Sequence, residues 1–569
     1  MFMKALNLVF GSPFKGMYRD VKGRLPYFVS DWTDAINYRV IPSTVFIYFT
    51  NLLPAIAFAQ DMFDKTKNSY GVNEVLLASS MGGIVFGLFS CQPLCIVGVT
   101  GPIAIFNYTV YEIIVPRGTP YFPFMAWICL WSMVMHFIIA IFNWVNSLRY
   151  VTKYSCDLFG CFICIIYIQK GIQLLTGAFN STGNAAGFLG VVVALLMMIV
   201  GILAFFIGNL TKLFKSPIRK IFADYGTPLT LVFFTGFVHF GGRLSQVELE
   251  TLPTTKSFAP TATSGGRTHG WFIHFWDIAV SDVFLAIPFA LLLTFLFYFD
   301  HNVSSLMAQS SEFPLKKPAG FHWDFFLLGL TTGLAGILGI PAPNGLIPQA
   351  PLHTRSLCVV KTRVHEIHEH KKIENYNDHV IEQRFTNTIQ GLLTIGTMSG
   401  PLLVVLGLVP QAVLAGLFWI MGITGLMGNA VVNNIVFIFS DEKLVNPNHP
   451  LLRCRKKYLY LFVLVQACGT GAEVAITQTV AAVGFPAVLV GLAILAHFFP
   501  RFIPEPEMSL LDAPTAPEFI LQNLSPETDS DTASTASSNP RVQSGDDQPI
   551  EEHELEEGRN LRRRMSNKP

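Results

Sequence analysis

Two apolar stretches of this 569-residue chain are interrupted by glutamine and proline in the same manner. The first reads SCQPL at residues 90–94, and the second reads LIPQAPL at residues 346–352. Proline lacks an N–H and clashes with the preceding helical turn, so each helix should be unwound here, with a short helix starting just after. Matching interruptions in two halves of a membrane protein are typical of a secondary transporter's binding site. Proline and glycine are also common in ordinary membrane helices, which leaves a purely structural alternative open.

Asp300 is an acidic residue at the end of a long apolar run, in the sequence FYFDHNVSS. Ionisable residues in a membrane segment are costly and usually face a cavity, a partner or a transport pathway. If the segment begins at Ile278, Asp300 would lie at the cytoplasmic surface. If residues 276–282 form an interfacial helix first, Asp300 would lie near the middle of the membrane. The residues alone leave both positions open.

Other polar groups in or beside apolar segments have simpler explanations. Lys170 is expected to form a structural pair or to extend toward the membrane surface rather than to bind substrate. Cys161 and Cys164 have a C-x-x-C spacing, but their apolar surroundings favour packing over a metal or redox pair. The run HEIHEH at residues 365–370 is expected to be solvated in a basic loop rather than to hold a metal. We therefore expect no metal and no cofactor.

The elements that position these residues are expected to be membrane helices. Hydrophobic residues make up 51% of the chain and charged residues only 14%, which is far from the composition of a soluble domain. Hydropathy predicts an all-α polytopic membrane protein with fourteen segments. The segments lie near residues 42–60, 74–90, 95–113, 121–145, 156–177, 187–210, 226–240, 281–307, 323–340, 345–360, 384–408, 410–427, 457–472 and 475–499.

The distribution of lysine and arginine predicts the orientation of these segments. With the N-terminus inside, the basic clusters at residues 212–220, 361–372 and 453–457 all fall on the cytoplasmic side, and both termini are cytoplasmic. The predicted regions are a cytoplasmic N-terminal segment (1–40), a first seven-helix repeat (41–240), an extracellular loop (241–277), a second seven-helix repeat (278–500) and a disordered cytoplasmic tail (505–569).

The two interrupted segments are the third and the tenth of the fourteen. Because they are an odd number of segments apart, the second half should be inverted in the membrane relative to the first. The N-termini of the two short helices would then face each other. Each N-terminus carries unpaired N–H groups and about half a positive charge. Together they would form a small polar pocket suited to an anion or a hydroxyl-rich solute.

Several of these sequences resemble those of the bicarbonate/anion-exchanger superfamily. Residues 92–94 (QPL) and 97–102 (VGVTGP) resemble its third-segment motif. Residues 24–35 (RLPYFVSDWTDA) resemble the stretch before its first membrane helix, and residues 382–384 (EQR) the start of its eleventh.

The borate-transporter branch of plants and fungi is the nearer match within this superfamily. Residues 299–301 (FDH), 315–318 (LKKP) and above all 345–357 (GLIPQAPLHTRSL) resemble its signature. The resemblance covers roughly residues 10–500 and implies two inverted seven-helix repeats, arranged as a core and a gate domain and commonly paired as a homodimer. It also implies that Asp300 is a mid-depth residue beside the substrate.

The chain departs from the animal anion exchangers in ways that bear on substrate. Gln349 stands where they have an arginine, Asp300 stands where they have a glutamate, and no counterpart of their large cytoplasmic N-terminal domain is expected. Losing a fixed positive charge argues against chloride/bicarbonate exchange without proving borate transport.

We therefore expect a secondary active transporter, not an enzyme, that exports borate or boric acid by alternating access, with proton coupling as an option. The plasma membrane is the expected location, and the vacuolar membrane is an alternative. Expected partners are the lipid bilayer and a second copy of the chain, with no nucleic acid. The residues expected to bind substrate are Asp300, Gln349, Thr100, Gln92, Gly101, Pro348, Ile347 and Asn302. A bicarbonate or other inorganic-anion exchanger, a sulfate or nucleobase transporter, and a membrane sorting scaffold acting through the tail remain as alternatives.

Overall fold

The structure is a computed structural model. It describes residues 12–181, 183–209, 211, 213–241, 246–262, 267, 270–367, 370–441, 445, 449–479, 481–512, 515–522 and 524. Helices account for most of these residues, as the apolar composition predicts. Two antiparallel pairs of strands are also present.

The first half consists of nine helices and one strand. They are α1 (Lys15–Arg24), α2 (Ser30–Thr33), α3 (Val40–Lys65), α4 (Val72–Phe89), β1 (Val97–Gly98), α5 (Gly101–Ile114), α6 (Tyr121–Ile141), α7 (Lys153–Ser181), α8 (Asn184–Asn209) and α9 (Ser216–Val238). Short 3-10 helices follow α1, α5 and α6 at Leu25–Tyr27, Val115–Arg117 and Trp144–Tyr150.

The described part of the second half consists of eleven helices and three strands. It contains α10 (Val280–Ala308), α11 (Phe321–Leu338), β2 (Asn344–Gly345), α12 (Gln349–Ser356), β3 (Cys358–Ile367), β4 (His370–Val380), α13 (Phe385–Gly396), α14 (Gly400–Gly407), α15 (Gln411–Gly428), α16 (Ala430–Phe439), α17 (Lys456–Ile476), α18 (Phe485–Ala496), α19 (Glu505–Leu511) and α20 (Glu518–Gln522). Further 3-10 helices lie at Pro450–Arg453, Ala482–Gly484 and Phe499–Arg501.

The prediction of an all-α polytopic membrane protein is confirmed. By length and apolar composition, eleven helices of the described chain can cross a membrane, and α13 with α14, bent by 82°, would make a twelfth. The predicted third and tenth segments are instead short helices, α5 with 14 residues and α12 with 8. Helix length and composition therefore do not establish the count of fourteen.

Helix packing follows the two-repeat pattern. In the first repeat α6 packs on α10 and α11, and in the second its counterpart α13 packs on α3 and α4. These helices, with α5 and α12, form one group, which we call the core. Helices α7, α8, α9, α15, α17 and α18 pack mainly on one another and form a second group, which we call the gate.

A two-residue strand pair joins the interrupted segments. β1 and β2 run antiparallel, with Val97 opposite Gly345 and Gly98 opposite Asn344. Neither Gly98 nor Gly345 has room for a side chain. A Cβ on Gly98 would lie 2.7 Å from the Asn51 side chain, and one on Gly345 would lie 2.7 Å from the backbone of α10. The strand pair thus packs directly against α3 and α10.

The first interruption differs from the prediction in where its helix begins. We expected a helix just after Pro93, but α5 begins only at Gly101. The Asp324 carboxylate accepts the N–H groups of Cys91 and Gln92 at 2.6 and 2.9 Å, and the chain then runs as β1. In the second half the prediction is correct, since α12 begins directly after Pro348.

Three stretches singled out by their sequence meet in one buried ion cluster. Asp31 pairs with Arg24 at 2.8 Å, with Lys317 at 2.8 Å and with Arg384 at 3.0 Å. Glu382 accepts the backbone N–H of Lys316 at 2.7 Å and of Lys317 at 3.1 Å. Burial nonetheless raises the pKa of the Glu382 carboxyl above its ordinary value. The cluster ties the N-terminal segment to the α10–α11 connection and to the start of α13.

Two stretches differ from the predicted loops and tail. A polar loop was expected after residue 360, but residues 358–367 and 370–380 form the antiparallel strands β3 and β4. The predicted disordered tail starts too early at 505, because α19 and α20 are helical and Ile520 and Leu524 are buried. Asp512 also accepts the Tyr154 N–H at 2.9 Å. The rest of the predicted tail, residues 525–569, lies outside the described residues. So do His368 and Glu369 of the HEIHEH run.

Candidate functional site

Asp300 lies where the interrupted segments meet α10. Its side chain is 1% exposed, and its Oδ2 atom accepts hydrogen bonds from Thr100 Oγ1 at 3.3 Å and Asn344 Nδ2 at 3.1 Å. Its Oδ1 atom has no hydrogen-bond partner. α10 is one continuous helix, and Asp300 lies about 12 Å along the axis from its last residue. Asp300 is therefore an interior residue, not a surface one.

Thr100 caps the N-terminus of α5. Its backbone is extended, with φ −105° and ψ 161°, and its Oγ1 accepts the Ile103 N–H at 3.4 Å. The same hydroxyl donates to Asp300. Gly101 follows, and a Cβ there would lie 3.0 Å from the Phe58 ring. The start of α5 is therefore held against both α10 and α3.

Gln349 is the first residue of α12 and is fully buried. Its Nε2 donates to the Thr50 carbonyl oxygen at 3.4 Å, and its Oε1 has no hydrogen-bond partner. Pro348 is the N-cap residue, and Ile347 before it is 3% exposed. The start of α12 thus contributes a donor and an unpaired acceptor, with no charge.

An aromatic cluster covers this site at the boundary between core and gate. Tyr167 of α7 lies near both Gln349 and Asp300. Its ring centroid is 5.7 Å from that of Phe58 in α3 and 5.8 Å from that of Phe418 in α15. Two of the three rings thus belong to the gate and one to the core.

Sequence reasoning missed Tyr167 and Asn344. Tyr167 lies in an apolar helix, where an aromatic residue looks like packing, so nothing in the sequence singles it out. Asn344 left a usable signal: it sits in the sequence PAPNG just before the second interruption, where proline and glycine mark non-helical backbone.

Two predicted site residues lie apart from this group. Gln92 accepts the Leu94 N–H at 3.3 Å through its Oε1 and donates its backbone N–H to Asp324. Asn302 is two residues after Asp300, about 200° around α10. Its Nδ2 donates to the Tyr298 carbonyl oxygen at 2.8 Å. Of the predicted site residues, Thr100 contacts Asp300 directly, Gly101 follows it, and Gln349 shares the neighbour Tyr167 with Asp300. Pro348 and Ile347 precede Gln349, whereas Gln92 and Asn302 make the other contacts given above.

Lys170 forms a buried structural pair. Its Nζ lies 2.8 Å from Asp61 Oδ2 and donates to Tyr108 Oη at 3.0 Å. Lys65 also pairs with Asp61, at 3.1 Å. Lys65, Tyr108 and Lys170 border a polar cavity of about 250 Å³ between α3 and α5 of the core and α7 of the gate. The ion pair of Lys170 with Asp61 thus joins α7 of the gate to α3 of the core.

Metal-ligating side chains do not cluster in the described residues. In that part of the chain, no group of three or more His, Cys, Asp or Glu side chains could hold a metal ion. Cys161 and Cys164 are free and buried.

A family model and several known proteins match this chain. The model described as "HCO3- transporter integral membrane domain" matches residues 12–186 and 180–516. The chain belongs to this family. Boron transporter 1 of Saccharomyces cerevisiae is 53% identical over 513 residues, which cover 90% of this chain and 87% of that protein. A Schizosaccharomyces pombe protein whose name gives no substrate is 53% identical over 512 residues, covering 90% of this chain and 97% of its own length.

A solved structure agrees with the family assignment at the level of fold. SLC26A9 matches with a TM-score of 0.50 and 11% sequence identity, over 88% of this chain and 69% of that one. At this identity the likeness concerns the fold alone. The chain is accordingly a multi-pass membrane protein of a transporter family.

Proposed function

We propose that this chain exports boric acid or borate across the plasma membrane, as a transporter and not an enzyme. One observation carries the proposal: Asp300 Oδ1 and Gln349 Oε1 are buried acceptors without partners at the meeting point of α5, α10 and α12. Among the described residues, no lysine or arginine interacts with Asp300. The 53% identity to Boron transporter 1 of S. cerevisiae supports the same substrate.

The chemistry of the two acceptors favours a solute with several hydroxyl groups. Buried acceptors gain most from a ligand that donates hydrogen bonds, because an unpaired buried polar atom costs roughly 1–3 kcal/mol. Boric acid carries three hydroxyls, and borate carries four. Chloride has no donor, and bicarbonate has one. A neutral amide in Gln349, in place of a fixed cation, suits a solute that is mostly uncharged at neutral pH.

In the proposed mechanism the substrate bridges Asp300 and Gln349. Asp300 Oδ1 and Gln349 Oε1 accept from its hydroxyls, and Gln349 Nε2 donates to one of its oxygens. Thr100 and Asn344 hold the other carboxylate oxygen and so fix the direction of Oδ1. Movement of the core relative to the gate then separates Phe58 from the aromatic rings of the gate and exposes the substrate on the other side. Cytoplasmic termini and a homodimer are part of this proposal.

Bicarbonate or inorganic-anion exchange is the second candidate, favoured by the description of the matching family model. Proteoliposomes containing the purified chain separate the two. Boric acid, bicarbonate and chloride fluxes are measured for the wild type, for Asp300→Asn and for Asp277→Asn, whose side chain is 63% exposed. Boron flux that is lost only in Asp300→Asn supports the proposal. Bicarbonate or chloride flux without boron flux would replace it by the second candidate.

A further inference from the structure

Glu473 of α17 is a buried carboxylate that the proposed transport mechanism does not use. Its side chain is fully buried. Among the buried side chains of the described residues, it is the only carboxylate with both oxygens lacking a hydrogen-bond partner. A charge in the membrane interior is costly unless it has a partner or binds something. Glu473 therefore needs a ligand that the surrounding protein does not supply.

Further unpaired polar atoms lie along the same helix face as Glu473 and on the neighbouring helix. Thr470 and Gln466 precede it by three and seven residues and lie on the same face of α17. Thr470 Oγ1 and Gln466 Oε1 both lack hydrogen-bond partners, and these side chains are 5% and 1% exposed. On the neighbouring helix α7, Tyr154 interacts electrostatically with Glu473, and its buried Oη is also unpaired. Helix α17 thus presents a row of oxygen atoms to α7.

Close packing excludes bulk water from this row. A Cβ added to Gly469 of α17 would lie 2.8 Å from the Leu158 side chain of α7. The Tyr154 ring packs edge-on against Phe462, with the ring centroids 5.5 Å apart. The unpaired oxygens are therefore enclosed between two helices of the gate, not at its surface.

The other titratable groups around Glu473 do not neutralise its charge. On α7, Tyr154 and Cys161 interact with it, and neither is a cation. Helices α16 and α18 carry no titratable side chain. Helix α19 carries Glu505 and Glu507 and packs near the start of α17, far from Glu473. The lysines of α17 also lie in its first turn, at that same end.

We propose that Glu473 is a proton-binding site in the gate, separate from Asp300 in the core. A proton removes the buried charge and turns one carboxylate oxygen into a donor. Thr470, one turn before Glu473 on the same face of α17, carries an unpaired hydroxyl oxygen that can receive it. A second consequence rests on the proposed transport function. Helix α7 carries Tyr167 of the aromatic cluster six residues after Cys161, so proton occupancy at Glu473 changes how α7 closes over the substrate site.

Infrared difference spectroscopy tests the site without any transport measurement. The full chain in lipid nanodiscs is titrated with pH as the wild type, as Glu473→Gln and as Glu505→Gln, an exposed control. We expect a carboxylic-acid C=O band that disappears as the pH rises and that is missing only in Glu473→Gln. A band that persists at every pH would mean a permanently protonated structural residue and would overturn the proposal. No such band at any pH would mean an ionised carboxylate with another counter-ion, and would also overturn it.

Boron flux in proteoliposomes at equal pH on both sides tests the coupling. Wild type and Glu505→Gln should have flux that changes with pH, whereas Glu473→Gln should have flux that does not. Glu473→Asp keeps the carboxyl and should restore the pH dependence, which a folding defect would not do. An unchanged pH profile in Glu473→Gln would refute coupling. If the wild type carries no boron at all, the proposed function fails while the infrared result still decides the proton site.

Discussion

Replacing Thr100 by valine removes one hydroxyl with two partners. The hydroxyl donates to Asp300 Oδ2 at 3.3 Å and accepts the Ile103 N–H at 3.4 Å. A hydrogen bond to a charged group contributes about 1.5–3 kcal/mol, and an N-cap contributes about 0.5–2 kcal/mol. Because both distances are long, the lower value applies to each. We therefore expect the loss of the hydrogen bond to Asp300 to weaken boric acid binding by about 1.5 kcal/mol, which is roughly a tenfold lower apparent affinity.

Thr109→Val is the matched control for this prediction. Thr109 is also buried on α5, but its hydroxyl donates only to the Ile105 carbonyl oxygen of its own helix, at 2.8 Å. Boron flux into proteoliposomes is measured over a range of boric acid concentrations for both variants and for Thr100→Ser. We expect near wild-type affinity in Thr109→Val and in Thr100→Ser, since serine keeps the hydroxyl. Wild-type affinity in Thr100→Val, or equal damage in Thr100→Ser, would refute this account of the site.

Three further predictions concern the site and the helices that hold it. Gln349→Arg places a cation at the start of α12, so boron flux in proteoliposomes should fall while Gln349→Asn retains part of it; undiminished flux would contradict the role of a neutral donor. Asp61→Asn leaves the buried Lys170 without its carboxylate partner and should lower the free energy of unfolding by about 3–5 kcal/mol, whereas the Asp61→Asn/Lys170→Met double variant should recover much of it, as measured by thermal unfolding in detergent. Lys170→Met alone should cost less, because Asp61 keeps Lys65 as a partner. Gly98→Ala should lower the free energy of unfolding by about 1–3 kcal/mol, because the added methyl group overpacks β1. Gly177→Ala is the control, since the space around its Cβ is open, and it should not destabilise the protein. Equal unfolding temperatures for the two variants would argue against tight packing of β1.

Sequence reasoning was most successful where a residue type has a single strong physical consequence. Long apolar runs predict membrane helices, and α3, α7 and α10 contain the segments predicted for them. Pro348 predicts the start of α12 because proline cannot continue a helix but suits its beginning. Asp300 was singled out because an acidic residue in an apolar run is energetically costly, and the structure places its side chain against Thr100.

Sequence reasoning failed where the outcome depends on distant residues. Pro93 did not start a helix, because Asp324 of α11 holds the preceding N–H groups and β2 pairs with the residues that follow. Asn302 follows Asp300 by two residues, and the helix therefore turns its side chain to another face. The start of the tail was misjudged because its polar composition hides Ile520, which is buried against the membrane domain.

Equilibrium binding of boric acid to the purified chain tests the central claim most directly. Calorimetric titrations compare the wild type with Asp300→Asn, which keeps the shape of the side chain but removes its charge, and with Asp277→Asn. We predict saturable binding in the wild type and in Asp277→Asn, and its loss in Asp300→Asn. Equal binding in all three proteins would contradict the claim that Asp300 holds the substrate where the two interrupted segments meet.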